Sequence, residues 1–229
     1  MMKSLLIRVQ ILGLIAILVT GCSTLFPSYY SSFLIDGWIV NEETKEPLEG
    51  AIVVIQWIVY GNNLLQGSEK VLMTMESITD KTGYFYFSRW GPKAIPEKTN
   101  IFSDSPRLTI FKSGYHWKEF VNSFKSYKPN EKFSPDWHGK TIELKPFKDS
   151  LEEYAIDLGK INESLMVLSL PQRQCGWKII PNMVLALEHQ RIIFENAKIN
   201  STLRSIDLLG KMSPKSCGSP RILFRGDIK

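Results

Sequence analysis

From about Phe33 to Leu144 apolar residues recur at every second position in short runs, and Gly, Pro and Asn interrupt the runs. A period of two places alternate side chains on opposite faces of a strand. Phe33–Val40 reads as a first strand, with Ile35 and Ile39 on one face and Leu34, Trp38 and Val40 on the other. Ala51–Val59 is β-branched and apolar on both faces, as a central strand must be. Strands follow around Val71–Thr79 and over Tyr84–Phe87, where Tyr84 and Tyr86 share one face and Phe85 and Phe87 the other. Arg107–Lys112 and Lys140–Leu144 complete the series, with Ile142 inside and Thr141 and Glu143 outside. Breaks are expected at Asn41–Gly50, Gly61–Asn63, Gly91–Pro92 and Pro96. Between the third and fourth strands, Asp80-Lys81-Thr82-Gly83 fits a type I turn. The Asp carboxylate bonds amides inside such a turn, and Gly accepts the positive φ that follows it.

From Asp149 the period lengthens to about 3.6 residues. Ser150 and Glu153 form a capping box, and Leu151, Tyr154, Ala155, Leu158, Ile161, Leu165 and Leu168 continue one helix that Pro171 ends. Pro181 seeds a second helix, with Leu187, Ile193, Phe194 and Ala197 inward and Glu188, Arg191, Glu195 and Lys198 pairing outside. Ser201–Leu209 reads as a short third helix closed by Gly210. The pattern therefore predicts a mainly β protein: an antiparallel β-sandwich over residues 33–146, then a small helical segment over 147–229.

Composition changes this picture little. With 44% hydrophobic and 22% charged residues the chain is of globular type, and a net charge of +5 without a dense basic run argues against nucleic-acid binding. The amino terminus changes it more. Lys3 and Arg8 precede the apolar stretch Ile11–Val19, which is too short to span a bilayer and suits a signal-peptide core. It ends in Val19-Thr20-Gly21-Cys22, which resembles the lipobox of bacterial lipoproteins; the bland reading is an uncleaved membrane anchor that happens to end in Cys. The resemblance implies cleavage after residue 21, lipidation of Cys22, and a membrane partner reached through the lipid. Ser23 after the Cys favours the outer membrane by the same resemblance, with the folded part in the periplasm. Residues 22–32 then serve as a short tether.

Four pieces in order, Gly37–Val40, Thr44–Ala51, Thr79–Phe85 and Lys112–Tyr115, resemble the carboxypeptidase regulatory-like domains. That resemblance implies a transthyretin-like (prealbumin-like) sandwich, usually accessory and without catalytic residues. Long inserts at Gly91–Pro106 and Trp117–Gly139 depart from it, and they are where a ligand or partner surface is expected. Their aromatics Trp90, Trp117 and Trp137 either stack on sugars or partner side chains or cap the ends of the sandwich. With Cys22 lipidated, Cys175 and Cys217 remain as a pair in an oxidising compartment; the alternatives are a disulfide or two buried thiols. A bridge would close a loop of 42 residues and contribute on the order of 4 kcal/mol in the chain-entropy account. His116-Trp117-Lys118-Glu119 matches the spacing of a zinc-binding His and Glu in metallocarboxypeptidases, but a catalytic zinc needs a third ligand and a general base. The expectation is no metal, no cofactor and no catalysis: a lipid-anchored envelope protein that contacts an envelope partner. The alternative is an envelope module binding carbohydrate or peptide through the insert aromatics.

Overall fold

The computed structural model describes residues 28–61, 69–101, 105–122, 135–169 and 175–226. Cys22, the signal segment and Pro171 lie outside the described residues. Two sheets face one another, and a helical layer covers the outer face of the larger. The larger sheet runs β4 (Glu69–Ile78), β3 (Ile52–Gly61), β8 (Arg107–Phe111), β9 (Lys118–Phe120), with β7 (Thr99–Ile101) also on β3. The smaller runs β10 (Thr141–Leu144), β2 (Ile35–Asn41), β5 (Tyr84–Phe87). Its β2–β5 pair is antiparallel, but β10 lies parallel to β2, a departure from the all-antiparallel expectation.

The continuous apolar run of β3 is explained by burial on both faces. Val53, Ile55, Trp57 and Val59 pack into the sandwich core with Ile35, Ile39, Phe85 and Phe87, while Ile52 and Val54 join Phe111 in a second core shared with the helices. Burying a side chain of this size stabilises by about 1.5–3 kcal/mol, so each face needs a cover. Gln56 points to the helical side and is fully buried.

A two-stranded ribbon corrects the expected tether. Tyr29–Ser32 is β1, paired antiparallel with β6 (Trp90–Ala94), so the ordered fold begins inside residues 22–32. The same ribbon carries Gly91–Pro92 inside a strand rather than at a break.

The helical layer also departs in detail. The capping box at Ser150 and Glu153 starts α1 (Leu151–Gly159) as the pattern predicts. The single helix expected to continue is instead divided into α2 (Ile161–Ser164) and α3 (Met166–Ser169). The Gln56 side-chain amide donates to Ser164 O and accepts from Val167 N, both at 2.9 Å. It thereby occupies groups that a continuous helix would keep for its own ladder. After α4 (Gly176–Ile179), α5 (Pro181–Asn196) starts against the sheet. Glu76 of β4 accepts from Met183 N (2.7 Å), Asn182 N (3.1 Å) and Asn182 Nδ2 (2.7 Å), satisfying amides that a helix start leaves open.

Two positions of α5 are exchanged relative to the pattern, while Leu187 and Phe194 face inward as expected: Glu188 is 3% exposed, and Ile193 is 46% exposed. Glu188 is held inside by a two-point contact with Arg191 at 2.9 Å and by Ile206 N, which opens α6 (Ile206–Met212). The third helix expected over Ser201–Leu209 is therefore set later, as α6. The Cys175–Cys217 disulfide is formed, with Cα atoms 5.4 Å apart, and it ties the start of α4 to the turn before α7 (Pro220–Leu223).

Candidate functional site

The Asp80 turn builds the first part of the site. Asp80 Oδ1 accepts from Thr82 N (2.8 Å), Thr82 Oγ1 (2.7 Å) and Tyr84 N (3.0 Å), and these bonds hold its carboxyl below the ordinary range. Gly83 takes φ +74°, and its carbonyl accepts from Ile39 N at 2.8 Å. The turn thus delivers β5 to β2 in one register, Trp38 opposite Tyr84 and Asp36 opposite Tyr86.

That register creates an aromatic row on the outer face of the smaller sheet, away from both cores. Trp38 is 38% exposed and Tyr86 54% exposed. The Trp38 and Tyr84 ring centroids lie 5.2 Å apart, and those of Tyr84 and Tyr86 6.2 Å apart, with planes within 20°. The Tyr84 hydroxyl donates to Asp36 Oδ2 at 3.0 Å. Burial first, and then this bond, push the phenol above its ordinary value. His138 Nδ1 accepts from Asp36 N (3.3 Å) and sits 3.2 Å from Asp36 Oδ1, with its ring edge-on to Phe33. Leu34, 46% exposed, lies two residues before Asp36, just ahead of β2.

The three insert tryptophans do not share a surface. Trp137 is 4% exposed and belongs to the sandwich core, as in the capping alternative and not the binding one. Trp90 is half-buried, packed against Trp57 (5.0 Å) and Tyr30 (5.5 Å), and so pins the β1–β6 ribbon to the sandwich. Trp117 is half-buried on the helical core and donates from Nε1 to Asp157 O at 2.9 Å. His116 and Glu119 also part company: His116 Nδ1 faces Asp157 of α1 at 3.3 Å, and Glu119 pairs with Arg107 at 3.4 Å. Among the described residues no three His, Cys, Asp or Glu side chains gather as a metal site, and no helix is long and apolar enough to cross a membrane.

The exposed row escaped the sequence pattern although its parts were visible there. Alternation alone puts Trp38, Tyr84 and Tyr86 on faces opposite Ile39, Phe85 and Phe87. Only the pairing register makes them neighbours. What the fold and the row define together is a β-sandwich with a helical layer on one side and an aromatic, carboxylate-bearing sheet face on the other.

No family model matches the chain, and no curated protein matches it. Among solved structures, the major plantain pollen allergen is 12% identical over 53% of this chain and 98% of its own, with a TM-score of 0.26. The C-terminal domain of a shaft pilin from Lactobacillus rhamnosus GG is 14% identical over 52% of this chain and 99% of its own, with a TM-score of 0.25. A 3-chlorocatechol 1,2-dioxygenase from Rhodococcus opacus is 14% identical over 52% and 60%, with a TM-score of 0.27. Likeness of this degree carries no argument about function.

Proposed function

We propose that this chain is a lipid-anchored, non-catalytic interaction protein of the bacterial envelope. In this reading Cys22 holds it to the outer membrane, its folded part faces the periplasm, and its sandwich is of the carboxypeptidase regulatory-like kind. It docks an envelope partner through the outer face of the β10–β2–β5 sheet. The observation that carries the docking is the row Trp38, Tyr84 and Tyr86, placed in contact, with Tyr84 half-buried between the exposed Trp38 and Tyr86. Large aromatics of this kind anchor protein interfaces, whereas the outer face of a sandwich sheet is ordinarily polar. The lipid anchor is supported by the charged, apolar and small-residue order that ends at Cys22. With β1 starting at Tyr29, seven residues after Cys22, the sandwich sits within about 25 Å of the bilayer.

The test has two arms. Wild-type protein is expected to incorporate a fatty-acid analogue and to fractionate with the outer membrane, and Cys22→Ser to do neither. Normal processing and membrane retention of that variant would remove the anchor from the account. In the second arm a photo-crosslinking residue is placed in cells at position 86 or, as control, at Ile156, which is exposed on α1. Adducts are expected from position 86 alone; equal yields at both sites would remove the docking face.

A further inference from the structure

We infer that the Trp38–Tyr84–Tyr86 face is built to receive a positively charged peptide segment, with a Lys or Arg side chain laid over the rings. The inference rests on the docking reading above and names the chemistry of the partner. Its first support is the row itself. Three electron-rich rings stand in one connected patch, and each attracts a cation over its face through its quadrupole.

The second support is charge. Asp36 lies within the patch, opposite Tyr86 across the strand pair and bonded to the Tyr84 hydroxyl. Asp80 sits at the turn that leads into the same strand, bonded to Tyr84 N. Among the described ion pairs neither carboxylate meets a Lys or Arg. Asp36 is met by His138 and Tyr84, and Asp80 by Thr82 and Tyr84. Other acids do meet a base: Glu143 of β10 pairs with Lys45, Glu43 with Lys148 and Asp207 with Arg221. So on a chain of net charge +5, Asp36 and Asp80 stand beside the rings with no Lys or Arg partner among the described ion pairs.

The third support is preorganisation. The Asp36 contact fixes the Tyr84 ring and the Asp80 turn fixes the strand, so a partner orders few side chains of this protein on arrival. A planar guanidinium suits the site best, because it stacks on a ring face and still reaches a carboxylate with its edge.

The experiment uses the full chain held in detergent micelles and an acetylated Gly-Arg-Gly-Arg-Gly peptide as probe, followed by calorimetric titration. Saturable binding that weakens with added salt is expected, with a Glu-substituted peptide showing none. Tyr86→Ala and Trp38→Ala should each weaken it by about two- to fivefold, as loss of an exposed cation–ring contact implies. Asp36→Asn should weaken it and flatten its salt dependence. Thermal melts of each variant separate lost binding from lost folding; Tyr86, the most exposed ring of the three, is the decisive position. Unchanged affinity in a folded Tyr86→Ala overturns the inference. So does binding of a neutral oligosaccharide such as chitotetraose, in place of the peptide, through the same rings. Adducts at position 86 in cells without peptide binding would overturn the cationic chemistry alone and leave the docking face standing.

Discussion

Gly83→Ala is the sharpest single test of how the site is held. Gly83 has φ +74°, and a β-carbon there would fall 2.3 Å from the Ile39 carbonyl oxygen and 3.4 Å from Leu48 N. Backbone does not yield as a side-chain tip does, so the turn must move away from β2. The left-handed backbone alone costs a residue with a β-carbon roughly 1–2 kcal/mol. Moving the turn weakens the Ile39 N to Gly83 O bond (2.8 Å) and the Leu48 N to Ile39 O bond (2.9 Å). At about 0.5–1.5 kcal/mol each, these bring the total to about 2–5 kcal/mol. Gly139 supplies the control: its φ is +69°, but a β-carbon there meets nothing within 4 Å. Gly139→Ala therefore carries the backbone cost without the collision. In urea titrations followed by circular dichroism, Gly83→Ala should exceed Gly139→Ala by about 1–3 kcal/mol, the worth of the two strained hydrogen bonds. It should also lower the affinity of the aromatic face, because the turn sets the Trp38–Tyr84 register. Equal losses for the two variants would refute the collision, and with it the claim that the turn positions the row.

Two further outcomes follow from the helical layer. Reducing agent, or Cys217→Ser, should lower the melting temperature of the whole protein in one transition, the bridge being worth up to about 4 kcal/mol; two transitions with only one responsive would show independent halves. Glu76→Gln should cost about 1 kcal/mol, as loss of a helix-start acceptor does, and should also change the pH profile of stability. Burial holds the Glu76 carboxyl above its ordinary value despite the amides it accepts from. Between that ordinary value, about 4.3, and the raised one, the folded form binds more protons than the unfolded, so stability falls as pH rises. Melts across that window should show the slope in wild type and lose it in the variant; an identical slope would place the effect elsewhere.

Much of the architecture is legible because burial and alternation coincide. Ile35, Ile39, Phe85 and Phe87 are inward where the period of two puts them, and the doubly apolar β3 is covered on both faces. The Asp80–Gly83 turn and the capping box at Ser150 are local bonding patterns, readable without knowing the fold. What escapes is whatever depends on distant partners. β1 looks like a polar tether until β6 is there to pair with it. Glu188 looks like a solvent-side charge, yet Arg191 and the start of α6 compensate it inside. The split between α2 and α3 depends on Gln56, more than a hundred residues earlier. The tryptophans of the inserts drew attention because they sit in loops, but loops also fold back as plugs, and Trp137 does.

The side on which the molecule offers its aromatic row follows from β3. A central strand with no polar face cannot end a sandwich; one of its faces must be covered by something other than the second sheet. The helices do this, bringing Tyr154, Leu158, Ile161, Trp177 and Phe194 into one core with Ile52, Val54 and Phe111. They are held there by Gln56, Glu76 and Trp117, each a bond from the sheet side to helical backbone. Once that side is closed, the outer face of the β10–β2–β5 sheet is, among the described residues, a broad strand surface left to solvent. Its inward positions are committed to Ile35, Phe85 and Phe87, and its outward ones are not needed for the core. Large rings at uncommitted positions, steadied by Asp36 and the Asp80 turn, add little to folding. In the proposed reading, the partner that lies on them covers this exposed apolar surface.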